Sequence, residues 1–82
     1  MELTPEQLLT YNLITYFYPD KVFKTKDIAP HATPLVATKR PELENPMQEV
    51  HRNIQTLTKL GLIVITNNPG PRKDKTYQLA NL

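Results

Sequence analysis

The stretch around Gly61 restricts the fold more than any other part of the chain. A helix-patterned segment runs from Pro46 to Leu60 and stops at Gly61, and the apolar run Leu62-Ile63-Val64-Ile65-Thr66 follows at once. Asn67-Asn68-Pro69-Gly70-Pro71 then supplies turn residues: Gly and Asn tolerate left-handed backbone, and Pro presets φ. Thr76-Tyr77-Gln78-Leu79 alternates polar and apolar side chains, as a half-buried returning strand does. So short a helix–glycine–strand–turn–strand sequence specifies one antiparallel hairpin packed beside one helix.

The helix in this block carries its own boundary signals. Asn45 is placed to cap it, Pro46 takes the first position, where a missing donor costs nothing, and Gln48 completes an Asn-x-x-Gln capping box. Met47, Val50, Ile54 and Leu57 recur at helical spacing and predict the buried face. Lys59 falls in the last turn, and Gly61 provides the left-handed stop. The continuously apolar strand that follows predicts cover on both of its faces.

The N-terminal segment reads as a first helix. Thr4-Pro5-Glu6-Gln7 is a capping box, Leu3 and Leu8 have the spacing of a hydrophobic staple, and Pro19 ends the helix near Tyr18. Leu9, Leu13, Tyr16 and Phe17 form one apolar stripe, expected to face the core. Tyr11, Ile14 and Tyr18 form a second stripe, the candidate surface for a protein partner or a homodimer. Val22-Phe23 reads as a short apolar link. Thr25 to Ala29 reads as a short second helix capped by Thr25, with Leu35-Val36-Ala37 as a further helical turn. Four prolines punctuate the segment 30–46, and the stretch around Lys39 to Asn45 is expected to be a loop.

With 82 residues the chain fits a single domain, 1–82, with one core and no deep cleft. It has no cysteine, which removes disulfides, thiolate metal sites and cysteine nucleophiles, and no serine for a serine-based nucleophile. His31 and His51 lack zinc-ligand spacing, so no metal is expected. No acid is followed two residues later by Lys, so an acid-x-Lys nuclease pattern is missing. Gly61 and Gly70 stand alone and cannot form a phosphate-cradling loop. The expectation is therefore no enzyme and no cofactor. No apolar run approaches the length of a membrane span, and the acidic, cap-like start is not a secretion signal. A cytoplasmic or nucleoid-associated location is expected, without a membrane partner.

Charge is unevenly placed. Residues 1–20 hold three acids and no Lys or Arg, whereas residues 21–82 hold all ten Lys and Arg against five acids. That asymmetry suits a surface facing a polyanion. On the polar side of the 46–60 helix, Gln48, Arg52, Gln55 and Lys59 fall together, opposite the apolar stripe. Arg and Gln offer paired hydrogen-bonding atoms in a planar fork, which matches guanine and adenine edges in the major groove. Arg72, Lys73 and Lys75 sit in or beside the turn segment 67–75, where cations would grip phosphates without reading sequence.

From Val50 through the recognition-like helix to Leu60-Gly61-Leu62-Ile63, and again in the Lys75-to-Leu79 return, the chain resembles the winged helix-turn-helix superfamily. A fainter, fold-level similarity is to the C-terminal winged-helix module of methyl-directed restriction endonucleases. The resemblance implies an α+β, mainly α fold: three helices followed by a two-stranded β-hairpin wing. It implies a module for double-stranded DNA, a transcriptional regulator or a DNA-targeting domain, with helix 46–60 in the major groove and wing 67–75 on the backbone. The 30–46 segment is longer and richer in proline than the tight turn usual there.

Overall fold

The computed structural model describes residues 3–67 and 74–80. It is α+β and mainly helical: α1 (Pro5–Phe17), α2 (Thr25–Lys39) and α3 (Pro46–Lys59) precede strands β1 (Ile63–Asn67) and β2 (Thr76–Leu79). The three helices pack on one another, and α3 also packs on β1. Their shared interior holds Ile14, Phe23, Ile28, Ala32, Val36, Val50, Ile54, Leu57, Ile63 and Tyr77.

α1 starts as its cap residues dictate. Thr4 N–H donates to Gln7 Oε1 at 3.0 Å, and Gln7 N–H donates to Thr4 Oγ1 at 3.2 Å. The two apolar stripes of this helix depart in part from the roles that periodicity assigned them. Ile14, expected on the partner-facing stripe, is wholly buried, and Tyr11 and Tyr18 of that stripe pack partly buried against the core. On the other stripe Leu9 and Leu13 pack partly buried against the core as expected, but Tyr16 is 78% exposed and Phe17 37% exposed. The side turned inward is set by α3. Thr10 Oγ1 donates to Glu6 O at 2.8 Å, and Asn53 Nδ2 of α3 donates to Thr10 Oγ1 at 3.3 Å and to Glu6 O at 3.4 Å. This satisfied polar node, buried at both Thr10 and Asn53, aligns α1 so that Ile14, one turn on, enters the core.

α2 is one continuous helix where two short pieces were expected. Lys24, not Thr25, is its N-cap, and Lys24 N–H donates to Asp27 Oδ2 at 2.8 Å. Pro30 and Pro34 both lie inside it. Each proline removes one helical donor at a cost of about 3 kcal/mol in an ordinary helix interior. Both sit on the exposed side, so the carbonyls they leave unpaired are within reach of water. Ile28, Ala29, Ala32 and Val36 hold the helix together from the other side by burial. The proline-rich loop thereby shrinks to the few residues between Arg40 and Asn45.

α3 begins at Asn45, whose Oδ1 accepts from Gln48 N–H at 3.3 Å. Its buried residues are Val50, Asn53, Ile54 and Leu57. Met47, expected in the core, is 48% exposed and lies with Pro30 and Pro34 along a shallow apolar groove beside α2. Gly61 takes φ +79°, the left-handed stop that the sequence demanded.

β1 and β2 pair antiparallel, Ile63 opposite Leu79 and Ile65 opposite Tyr77, with a bulge between Ile65 and Asn67. Only Ile63 of β1 is buried; Val64 and Ile65 are exposed, so the expected cover on both faces is absent. Phe23 supplies a third partner for the sheet. Its N–H donates to Tyr77 O at 2.8 Å, and Tyr77 N–H donates to Phe23 O at 2.7 Å. The link between α1 and α2 thus pins the hairpin to the helices, with Phe23 and Tyr77 rings stacked at 5.8 Å.

Candidate nucleic-acid interface

The outer side of α3 is built as its pattern specifies. Gln48, Arg52, Gln55 and Lys59 are all exposed, and the opposite side of the helix is locked into the core through Val50, Ile54 and Leu57. A helix anchored so firmly on one side offers the other as a rigid row of donors and acceptors. Arg52 Nη1 lies 3.8 Å from Glu49 Oε2, a loose pair one turn back, and the guanidinium stays largely open to solvent. Exposed pairs of this kind contribute at most about 1 kcal/mol, so Arg52 remains free to change partner.

The hairpin brings a second group of cations to the same side. Gln55, Thr58 and Lys59 of α3 face Ile65, Lys75 and Tyr77 across a cleft of about 270 Å³. A neighbouring cleft of about 260 Å³ is lined by Thr25, Lys26, His51, Asp74, Lys75 and Tyr77. Lys75 and Tyr77 belong to both, so Lys75 stands where α3, the start of α2 and the base of the hairpin converge. Of the residues singled out in the sequence, the fold brings Gln55, Lys59 and Lys75 together. Gln48 and Arg52 lie along the same α3 face toward its start. Arg72 and Lys73 fall outside the described residues. Tyr11, Ile14 and Tyr18 form no exposed surface stripe, because Ile14 is core.

One contributor escaped the sequence reading. Lys26, in the first turn of α2, reaches this region, and its Nζ lies 3.3 Å from Asp74 Oδ2 at the foot of the hairpin. His51, exposed on the flank of α3, lines the same cleft. Nothing in the pattern ties residue 26 to residue 74; only the Phe23–Tyr77 pairing, which carries β2 to the start of α2, sets them side by side. Among the described residues no ion pair engages Lys59 or Lys75. Lys26, His51, Arg52, Lys59 and Lys75 therefore share one side of the molecule with two acids, Asp74 and Glu49, each held against a cation.

The arrangement can bind anions and present planar hydrogen-bonding groups. Among the described residues no group of His, Asp and Glu is assembled that could hold a metal ion. No helix is long and apolar enough to cross a membrane among the residues described. No family model matches the chain, and neither a curated protein nor a solved structure does.

Proposed function

We propose that the chain is a DNA-binding module of winged-helix type, a transcriptional regulator or DNA-targeting domain, with α3 in the major groove and the hairpin against the backbone. One observation carries this reading: the exposed polar row of α3 ends, at Gln55 and Lys59, on a cleft that Lys75 lines from the base of the hairpin. A row of Gln and Arg flanked by cations divides naturally into readers and clamps. Gln48, Arg52 and Gln55 are the readers; Lys59 and Lys75 clamp phosphate, with Lys26 beside them and Arg72 and Lys73 assigned to the same task from the sequence.

Fluorescence anisotropy with a labelled duplex, repeated over a range of salt concentrations, tests the proposal. Each phosphate contact contributes about −0.9 to the slope of log affinity against log salt. Five such cations give a slope of about −4 to −5. Affinity that barely changes with salt, or no binding at low salt, rejects the proposal. On a selected high-affinity site, Arg52→Ala is expected to cost about 1–3 kcal/mol and to relax specificity at one position. An unchanged affinity there removes Arg52 from the readers.

A further inference from the structure

Pro30 and Pro34 are exposed on α2, where each removes a helical donor and neither fills the core. Met47, in the first turn of α3, is the large apolar side chain that this helix leaves open. These three, with Lys26, Ala29 and Thr33, line a groove of about 330 Å³. Thr33 Oγ1 is buried and lacks a hydrogen-bond partner, so its hydroxyl gives the groove no polar group. The prolyl rings offer no N–H either. The groove is therefore apolar, with its charge confined to Lys26. Lys26 also lines the cleft that holds His51 and Lys75, and Lys75 in turn lines the cleft at Gln55 and Lys59. The apolar groove thus continues the cationic run, at the end where α3 begins.

We infer that Met47, backed by Pro30 and Pro34, reads the 5-methyl group of a thymine, an inference that rests on the DNA reading. Continuity selects the occupant. A ligand lying along Lys59, Lys75 and Lys26 also reaches the groove, and in the proposed function that ligand is a duplex. A duplex is charged on its phosphates and polar on its base edges. Its apolar groups are the sugar faces and, in the major groove, the thymine methyl. Position on α3 decides between them. The first residues of a helix in the major groove are the ones that meet base edges, and Met47 stands directly before Gln48, the first of the readers. Gln fits adenine, so the adjacent pair Met47 and Gln48 suits A·T pairs, which offer both adenine and the methyl. A thioether on an unbranched stem adapts readily to a small apolar partner. The two prolines then have a task that the core does not give them. They set rigid, donor-free rings beside Met47, so no N–H of α2 holds water there.

Anisotropy on a selected high-affinity duplex, with each thymine replaced in turn by deoxyuridine, tests the inference. That exchange removes the methyl and keeps the base pair and its hydrogen-bonding edge. At one position it is expected to weaken binding by the wild type about fourfold, the worth of burying one methyl-sized group. Met47→Ala is expected to bind the thymine duplex several-fold more weakly and to lose the distinction between thymine and deoxyuridine at that position. Its salt slope is expected to match the wild type, because no phosphate contact is removed. Met47 is half-exposed, so the variant is expected to fold; should its melting temperature fall, Met47→Gln decides in its place. Duplex binding that no thymine-to-deoxyuridine exchange alters overturns the inference and leaves the DNA reading standing. So does a Met47 variant that still distinguishes the two bases. No duplex binding at any salt concentration overturns both.

Discussion

The α3–hairpin side and the α1–α2 side of this molecule are made from the same resource, residues left over once the core is filled, and they come out as opposites. On the first, Gln55, Lys26, Lys59 and His51 line two clefts that share Lys75. On the second, Tyr16, Phe17, His31 and Leu35 form a strip that contains no Asp, Glu, Lys or Arg. The difference lies in how each helix is anchored. α3 spends Val50, Ile54 and Leu57 on the core and, apart from Met47 in its first turn, shows polar residues. α1 has more apolar residues than one buried side can use, so the surplus is displayed. A surplus of that kind costs solubility, whereas a polar row costs nothing and gains meaning only from the cations gathered around it.

The comparison depends on which side of α1 is buried, and a pair of substitutions would break it with the largest effect. Ile14→Ala should destabilise the fold by about 2–5 kcal/mol in urea denaturation, the range for truncating a buried aliphatic side chain. Tyr16→Ala, on the opposite stripe, should stay within about 0.5 kcal/mol, since that side chain is mostly in solvent. Equal losses at the two sites would mean that α1 is rotated from the orientation described. Next in size is Asn53→Ala. It removes the donor that ties α3 to Thr10 and Glu6, and should cost about 1–3 kcal/mol, since Thr10 and the Glu6 carbonyl lose a buried partner.

Smaller effects sharpen the charged side. Asp74→Asn releases Lys26 from its ion pair. Duplex affinity should then rise by up to about 1 kcal/mol, the upper worth of an exposed pair, and the salt dependence should steepen. An unchanged affinity would place Lys26 away from the DNA. The smallest expected effect concerns the turn before α3, where Arg40 Nε donates to Glu42 Oε1 at 2.9 Å. That hydrogen bond holds the Glu42 carboxyl below the usual carboxylate range and pushes the Arg40 guanidinium up. A carboxyl lowered in the folded state stabilises the fold above its unfolded-state pKa, and that contribution fades as pH falls through the folded-state value. Glu42→Gln should therefore lower the melting temperature slightly at neutral pH and leave it unchanged in acid. The pair is exposed, so a large shift at neutral pH would point to a further partner for Glu42.

What could be read from the residues, and what could not, divides along the line between local and tertiary causes. The Thr4–Gln7 box, the Asn45 cap and the Gly61 stop act within a few residues of chain, so the ends of α1 and α3 followed from the sequence. The alternation in β2 likewise showed Tyr77 facing inward. Periodicity also grouped the two stripes of α1 correctly, but it contains no term for which stripe a neighbouring helix will claim. That choice rests on Asn53 and Thr10, two polar residues that apolar pattern reading passes over. Pro30 and Pro34 stopped α2 on paper because their cost is local and visible, whereas the burial of Ile28, Ala32 and Val36 that offsets it is not. The same limit hid part of the candidate interface. Gln48, Arg52, Gln55 and Lys59 share a helix and were found by angle alone, while Lys26 enters only through the Phe23–Tyr77 pairing.

The proposed assignment of the α3–hairpin side to nucleic acid can be tested in one titration. Backbone amide resonances of the labelled chain would be followed as a short duplex is added at low salt. The account expects the shifts to cluster on the outer residues of α3, on Thr25 and Lys26, and on Asp74 and Lys75, with Tyr16, Phe17, His31 and Leu35 unmoved. Shifts centred on the α1–α2 strip, or none at all, would contradict it.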